Sequence, residues 1–279
     1  MSFAPPVPVP QSYRERRPAA AVAGHLSSVW VQRVAAGAAP YTHRTVPHAG
    51  VELSVVVGAA PRIVGPRTAP AVSTLAPGST VVGVRFHLGA APPVLGVPAS
   101  ELVDLDVEGR ELLGPTGAAL GEAVAMAATP EDAAAIVESA VLARLAAAPA
   151  PDPVVAEAVR RLLPWRSRDV GSLTSSLHIS ERQLRRRTLA AIGLAPKVVQ
   201  RILRFQAFLA LAHAREDAVA DLARLAAESG YADQPHLTRE SLRLAGLSPR
   251  ALLRESQEHC FGLHDHATSW RPLLRDRAA

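Results

Sequence analysis

Three arginines on one face of a predicted helix could bind the bases and phosphates of DNA. Ser180 and Gln183 have the spacing of a capping box, which predicts that a helix begins after Ser180. Arg182, Arg185 and Arg186 then stand at i, i+3 and i+4 and share the outward face of that helix. A guanidinium group pairs bidentately with guanine O6 and N7, and it also binds phosphate oxygens. The sequence therefore predicts DNA contacts here, with phosphate clamps or solvated charges as the alternatives to base reading.

A second short helix carries polar side chains suited to the same chemistry. In the stretch GYADQPHLTRESLRLAGLSP, Asp233 can cap a helix, Pro235 fits its first turn and Gly246 offers a stop, which predicts a helix over Gln234–Ala245. Glutamine can pair with adenine, and threonine can reach a base or the thymine methyl group. The arginine is either a phosphate clamp or the partner of an acidic residue, and the whole helix could instead only position the protein on the DNA backbone. The candidate contact residues are Gln234, His236, Thr238 and Arg239.

Each of these helices is predicted to be the second helix of a helix-turn-helix unit. A short helix over Val170–Leu177 precedes the first turn, and the segment LARLAAES, with Asp221 as the expected cap, precedes the second. A long helix over Pro196–His213 joins the two units. A major groove accepts one helix and recurs about every 34 Å along a duplex, so one chain with two units could read two successive grooves.

The distribution of charge agrees with a nucleic-acid partner. The 279 residues carry a net charge of +5, but residues 1–153 have a net charge of −2 and residues 154–260 have +6. A basic helical region beside a nearly neutral one is typical of phosphate binding, and a solvated arginine-rich surface is the alternative.

Composition also indicates a compartment. Cys260 is the only cysteine, so no internal disulfide can form, which is typical of a reducing environment. The first ten residues lack a basic region and a long apolar run, and no stretch reaches the roughly 18 apolar residues of a membrane span. We therefore expect a cytoplasmic protein with no signal peptide and no membrane partner.

The N-terminal half reads as short strands between turn residues, as in VELSVVVG and STVVGVRFHL, and this pattern predicts a sheet sandwich or barrel. Two alanine-rich helices follow it, and everything after the APAPDP segment reads as helices joined by turns. We expect a Pro-rich tail, a sensory or dimerisation domain, a linker, a DNA-binding domain and a C-terminal tail. Their predicted bounds are residues 1–12, 13–147, 148–153, 154–256 and 257–279.

The C-terminal half contains the stretches ISERQLRRRTLAAIGLAPKVVQRILRFQAFLALA and LARLAAESGYADQPHLTRESLRLAGLSPRALL. In these stretches it resembles the DNA-binding domain of the AraC/XylS family of transcription regulators. The resemblance covers about residues 154–256, and it departs from the family where phenylalanine is usual, at Thr188, Leu237, Ser241 and Ala245. The stretches YRERRP, VWVQRV and VVGVRFHLGAAPPVLGVPASEL are similar to a domain that precedes AraC-type regions in actinobacterial regulators. The residues that match the family signature are Gly230, Tyr231, Asp233, His236, Arg239, Gly246, Ser248 and Pro249.

The resemblance implies both a fold and a function. The fold is α+β, with a β-rich N-terminal domain like a cupin barrel or sandwich, followed by an all-α domain of two helix-turn-helix units joined by a long helix. The function is sequence-specific binding of double-stranded DNA in transcription regulation, controlled by a small effector or by dimerisation. RNA polymerase and a second copy of the chain are possible partners.

The alternative is a cupin-type metalloenzyme with a helical adaptor. His43, His48, Glu52 and His87 resemble a cupin metal site, but the two histidines of THRTVPHAGVEL are too far apart for a good match, so ordinary histidines are expected. One cysteine and three histidines in EHCFGLHDH could hold zinc, although a mobile tail is preferred. No G-x-S-x-G, P-loop or Rossmann motif is present. We therefore expect no enzyme, no cofactor and no bound metal.

Overall fold

Nine strands occur in the part of the chain that the computed structural model describes, which is residues 10–164, 166, 170–215, 218–260 and 264–275. The strands predicted from VELSVVVG and STVVGVRFHL are confirmed as β4 and β7. The strands are β1 Gln11–Arg16, β2 Leu26–Val34, β3 Tyr41–Thr45, β4 Glu52–Val56, β5 Arg62–Val64, β6 Ala71–Leu75, β7 Thr80–Phe86, β8 Asp106–Glu108 and β9 His264–Asp265.

Seven of these strands form one sheet in the order β8-β5-β4-β7-β2-β1-β9, and β3 pairs with β6 in a separate two-stranded sheet. Neighbouring strands are antiparallel except β1 and β9, which are parallel. The central strand β7 places Val82, Val84 and Phe86 in the core. This arrangement confirms the β-rich N-terminal domain and is consistent with its cupin-like description.

Twelve α-helices lie in the described residues, together with a 3-10 turn at Ala99–Glu101. The long helix and the second candidate contact helix have the bounds that the sequence predicts. The helices are α1 Pro92–Leu95, α2 Gly109–Leu113, α3 Pro115–Ala125, α4 Pro130–Leu145, α5 Pro153–Arg161, α6 Val170–Leu177, α7 Glu181–Ile192, α8 Pro196–His213, α9 Leu222–Glu228, α10 Gln234–Ala245, α11 Pro249–Cys260 and α12 Ala267–Arg275.

Two apolar cores hold these elements together. In the first, α4 packs on β7 and β2 through an apolar stripe that includes Val137 and Val141. In the second, α8 is surrounded by the other C-terminal helices, and Phe205 and Phe208 at its centre are fully buried. A helix that is apolar on nearly all sides must be enclosed by its neighbours. Ala49 of the N-terminal region belongs to this second core, so the two halves share packing.

Two local expectations are wrong. The residues expected as a mobile C-terminal tail form β9 and α12 in their described part, because Leu273 and Trp270 pack against the helical core and β9 pairs with β1. Residues 264–275, hereafter the C-terminal segment, therefore return to the N-terminal sheet. Asp221 stands before α9 but its side chain makes no cap bond; its carboxylate instead lies 3.8 Å from the guanidinium of Arg224.

The Pro-rich beginning of the chain lies mostly outside the described residues, which start at residue 10. Strand β1 begins at Gln11, within the range expected as a tail. No described helix is long and apolar enough to cross a membrane.

Candidate nucleic-acid interface and inter-domain cavity

The first candidate contact helix, α7, begins with the predicted capping box. Ser180 Oγ accepts from the backbone N–H of Gln183, and the Gln183 side chain accepts from the Ser180 N–H at 3.0 Å. The helix buries Leu184, Thr188 and Ile192. The predicted contact residues of this helix, Arg182, Arg185 and Arg186, are all exposed.

The three arginines differ from their neighbour Arg187 in their partners. Arg187 Nη1 donates to Asp152 Oδ2 at 2.7 Å, and Asp152 also caps α5. By contrast, no carboxylate among the described residues pairs with Arg182, Arg185 or Arg186. Their guanidinium groups are therefore available to an external anion such as a phosphate.

Both candidate contact helices follow the same backbone turn. In the first unit the N–H of Ile179 bonds to the carbonyl of Thr174, and in the second the N–H of Tyr231 bonds to the carbonyl of Ala226. This six-residue closure ends each preceding helix in the left-handed region. Gly230 takes that conformation at φ +84° without steric cost, whereas His178 takes it at φ +52° in the first unit. The repeated turn is direct structural evidence for two helix-turn-helix units.

The second helix, α10, is also capped as predicted, since Asp233 Oδ1 accepts from the N–H of His236 at 2.6 Å. Gln234 and Arg239 are exposed. Thr238 donates its hydroxyl to the carbonyl of Gln234 at 3.0 Å. No described acidic residue pairs with Arg239, so the phosphate-clamp alternative for it is favoured.

His236 has a packing role that the sequence did not indicate. Its half-buried ring meets the ring of Tyr231 edge-on, with centroids 5.2 Å apart. The guanidinium of Arg204 lies 5.6 Å from the centre of the same tyrosine ring. This contact fixes the start of α10 against α8.

Two hydroxyl groups stand where the family usually has phenylalanine. Thr188 Oγ1 donates to the carbonyl of Leu184 at 2.8 Å, and Ser241 Oγ donates to the carbonyl of Leu247 at 2.7 Å. Both residues are buried, and a buried hydroxyl is tolerated when it is hydrogen-bonded. The side chains behind both helices are therefore smaller than phenylalanine, but their hydroxyl groups are hydrogen-bonded.

The N-terminal domain contacts the C-terminal end of each candidate contact helix. Gly193, directly after α7, packs so closely on the carbonyl of Ala99 that an added Cβ would lie 2.6 Å from it. At the end of α10, Arg44 donates to the carbonyl of Ala245 and pairs with Glu255 of α11 at 3.0 Å. The candidate contact residues lie nearer the N-terminal end of each helix, so this docking does not cover them.

A cavity of about 240 Å³ lies between the two domains. Its walls come from the N-terminal strands, from α8 and α11, and from the C-terminal segment. The amide of Gln206 joins all three parts, because it donates to the carbonyl of Pro47 at 2.8 Å and accepts from the indole of Trp270 at 3.3 Å. No local sequence pattern indicates this cavity, because its walls are far apart in the chain.

A buried charge cluster forms one side of the cavity. Arg85 Nε donates to Glu52 at 2.6 Å and its Nη1 donates to Glu15 at 3.2 Å. Burial alone would lower the pKa of Arg85, but the carboxylates of Glu52 and Glu15 outweigh it and the net shift is upward. Burial would raise the pKa of Glu52, and Arg85 and His48 together hold it below its usual value.

Histidines around the cavity are held neutral. Burial lowers the pKa of His48 to about 4, although Glu52 lies 3.4 Å away. Burial, with smaller contributions from neighbouring histidines, lowers the pKa of His264 to about 4 and that of His266 to about 2. Neutral imidazoles can accept or donate hydrogen bonds without adding positive charge.

The residues that resemble a cupin metal site do not converge on one point in the structure. His48 contacts Glu52, but His87 bonds to the carbonyl of Ala23 and His43 to Ser73. No group of three possible metal ligands occurs among the described residues. In the zinc alternative, His264 and His266 line the cavity, while the side chains of His259 and Cys260 lie outside what the structure describes.

Comparison with known families agrees with the geometry of the C-terminal domain. Residues 173–255 match a family profile described as a helix-turn-helix domain, and residues 14–108 match a domain of unknown function, DUF6597. No curated protein sequence matches the chain.

Crystal structures of ToxT from Vibrio cholerae are similar at a low level. The apo form of a single-residue ToxT variant aligns with a TM-score of 0.45 at 13% identity, over 82% of this chain and 97% of that one. The unsaturated fatty acid-bound wild-type form aligns with a TM-score of 0.40 at 10% identity, over 92% and 97%. Likenesses this weak establish no shared fold for the whole chain.

The protein is a DNA-binding transcription regulator. This class is defined by the two exposed helices, by the turn that precedes each of them and by the match to the helix-turn-helix family. Its C-terminal region is a helix-turn-helix domain of the AraC type.

Proposed function

We propose that this chain binds double-stranded DNA sequence-specifically, with α7 and α10 entering successive major grooves. The observation that carries the proposal is the first of these helices, which presents Arg182, Arg185 and Arg186 without an acidic partner among the described residues. Arginine at the start of such a helix suits guanine and phosphate together. Gln234, His236, Thr238 and Arg239 supply the second surface.

The test is a comparison of operator affinity and site preference among single variants. Arg185→Ala and Arg186→Ala should each weaken binding, and loss of a guanine contact should also relax preference at one position, worth about 1–3 kcal/mol. Arg110→Ala removes another exposed arginine, from α2, and serves as the matched control. If neither variant in α7 changes affinity or preference, the assignment is wrong.

The role of α10 is tested separately by site selection with Gln234→Ala. Loss of preference confined to one half of the site, about one helical turn from the part affected by Arg182→Ala, would support base reading. Uniformly weaker binding with an unchanged motif would make α10 a positioning helix that contacts only the backbone.

We also propose that residues 13–147 form a sensory or dimerisation domain that controls DNA binding. The contacts from Arg44 and Ala99 to the ends of α10 and α7 support this proposal, because any shift of the N-terminal domain would move both helices. A small effector, a second copy of the chain and RNA polymerase are the proposed partners. Cleavage near Pro151 should leave a C-terminal fragment that binds DNA and no longer responds to an effector.

The protein is proposed to act by binding and not by catalysis. Because its ligand would be DNA, we propose that it acts in the cytoplasm, the compartment expected from the lone cysteine.

A further inference from the structure

The cavity between the domains has the features of a built ligand site. It is closed on one side by the C-terminal segment, which supplies His264, His266 and Trp270. Pockets for small ligands are commonly concave, mostly apolar and placed between domains, with a few polar groups that fix orientation. Each of these properties can be traced to particular residues.

Aromatic rings form the walls. The ring of His266 stacks on Tyr13 with centroids 4.7 Å apart, and on Trp270 with centroids 4.6 Å apart. Next to this stack, Tyr41 meets His264 edge-on with centroids 6.2 Å apart and stacks on His43 at 5.5 Å with an interplanar angle of only 8°. Flat rings on several sides favour a flat, aromatic occupant.

One buried donor in the wall lacks a partner. Trp30 is only 7% exposed, and its indole N–H has no hydrogen-bond partner among the described residues. The Nδ1 atom of His43 is also buried without a partner there. A buried polar group usually has a partner, so the indole N–H points to a ligand with a hydrogen-bond acceptor. The Nδ1 atom of His43 donates or accepts depending on the ring's tautomer, so it is compatible with a ligand of either kind.

The charges of the cavity disfavour an anion. Arg85 is already paired with two carboxylates, Glu15 and Glu52, and Arg44 is paired with Glu255. The cluster of Arg85, Glu15 and Glu52 has two carboxylates and one guanidinium, and the surrounding histidines are neutral. No cation among the described residues of the wall is therefore left to pair with an anionic ligand. Aromatic faces add negative potential of their own.

We propose that this cavity binds a planar aromatic molecule that has a hydrogen-bond acceptor and carries no negative charge. Its acceptor receives the indole N–H of Trp30, and its rings lie between the aromatic walls. That this ligand is the effector of DNA binding rests on the proposed function, whereas its binding to the cavity does not.

The experiment uses three bicyclic probes of nearly equal shape with the full-length chain in the absence of DNA. Quinoline has an acceptor and no negative charge, naphthalene lacks the acceptor, and 2-naphthoate is an anion. Binding is measured by titration calorimetry and by tryptophan fluorescence. Quinoline should bind at least about tenfold more tightly than either of the others, in line with one well-placed hydrogen bond. Equal or tighter binding of naphthalene or 2-naphthoate, or no binding of quinoline at millimolar concentration, would overturn the proposal.

Two variants locate the site. Trp30→Phe keeps an aromatic wall but removes the donor, so it should abolish the preference for quinoline over naphthalene. Leu252→Phe narrows the cavity from α11 and introduces no polar atom, so it should weaken binding of all three probes even if the first variant folds poorly. Quinoline affinity unchanged in both variants would place the ligand elsewhere and refute the assignment.

The same preparation separates this proposal from the proposed function. Arg185→Ala should weaken DNA binding and keep quinoline binding unchanged, because α7 is not part of the cavity wall. A chain that binds quinoline but no DNA would refute the proposed function alone, and a chain that binds DNA but no probe would refute the ligand site alone.

Discussion

Arg44 Nη1 donates a hydrogen bond to the backbone carbonyl of Ala245 at 3.2 Å, so a side chain of the N-terminal domain satisfies the last turn of α10. The final carbonyls of a helix lack partners within it and carry partial negative charge, which makes a guanidinium a suitable cap. This bond couples the position of the N-terminal domain to that of the second candidate contact helix.

Replacing Arg44 by alanine should therefore destabilise the protein by about 1.5–3 kcal/mol, the usual contribution of a hydrogen bond to a charged group. Urea unfolding provides the measurement. Arg62→Ala is the control, because Arg62 pairs with Asp106 at a surface where both side chains are more than 40% exposed, and such pairs contribute little. Equal effects of the two variants would show that Arg44 is only a surface charge.

Salt dependence should report the number of phosphates that the chain neutralises. With about six phosphates per chain, the logarithm of the binding constant should fall against the logarithm of salt concentration with a slope near −5. In Arg185→Ala or Arg186→Ala the slope should become less negative by about one for each phosphate that the variant no longer neutralises. A slope near zero would exclude nucleic acid as the partner.

Gly83 should tolerate no side chain. It pairs with Trp30 across β2 and β7, and an added Cβ would lie 2.5 Å from the indole ring and 2.9 Å from the carbonyl of Leu53. Gly83→Ala should therefore destabilise the chain by about 1–3 kcal/mol and displace Trp30. Gly37→Ala, where the added carbon meets no atom within 4 Å, is the matched control. Similar thermal midpoints for the two variants would contradict the close packing.

His178 should be replaceable by glycine with a gain in stability. Its φ of +52° disfavours a residue with a Cβ by about 1–2 kcal/mol, while glycine loses about 0.5–1 kcal/mol of backbone entropy on folding. A net gain of about 0.5–1 kcal/mol is expected in chemical denaturation. His178→Ala keeps the Cβ and should show no such gain, and a loss of stability in the glycine variant would argue against the turn.

Acid should destabilise the protein through His266. Burial lowers its pKa to about 2, whereas in the unfolded chain the pKa is about 6.5. Below pH 6.5 the unfolded chain therefore binds a proton at His266 that the folded chain does not bind. The free energy of unfolding falls by about 1.4 kcal/mol per pH unit until the pH nears 2. The charged or titratable groups around this ring are Tyr13 and Glu15 on β1, Arg85 on β7, His213 on α8 and His264 on β9.

The check is the free energy of unfolding measured from about pH 7 to about pH 5 in the wild type and in His266→Phe. Phenylalanine keeps a ring between Tyr13 and Trp270 and cannot take up a proton. The variant should therefore lose stability less steeply, by about one proton. Parallel curves would show that His266 does not contribute to the acid response.

The helical half was largely predictable because its signals are local. Asp233 and Gly246 mark the two ends of α10. The start of α7 is marked by Ser180 and Gln183, and the start of α8 by Pro196, so each signal lies within a few residues of its helix. The prediction that Asp221 caps α9 is wrong because a residue type that favours capping does not ensure the cap geometry. An exposed arginine face could likewise be inferred from helical spacing alone.

The cavity could not be predicted because its contacts are distant in sequence. His264 bonds to the side chain of Gln11 across 253 residues, and no local pattern specifies that partner. The role of Arg85 could not be predicted either, because it depends on Glu15 and Glu52 from two other strands. The sequence of the C-terminal segment predicts a tail because its polar residues find their partners only in the assembled fold.

The pairing of β9 with β1 also sets an order of events during synthesis. Strand β1 is among the first parts of the chain to leave the ribosome, and β9 is made only after all the helices from α1 to α11. Until then the outer edge of β1 has unpaired backbone groups, which is a position from which strands of other chains can join a sheet. The nascent protein thus carries an open sheet edge for most of its synthesis, and a molecular chaperone or a fast-folding N-terminal core would have its greatest value in that interval.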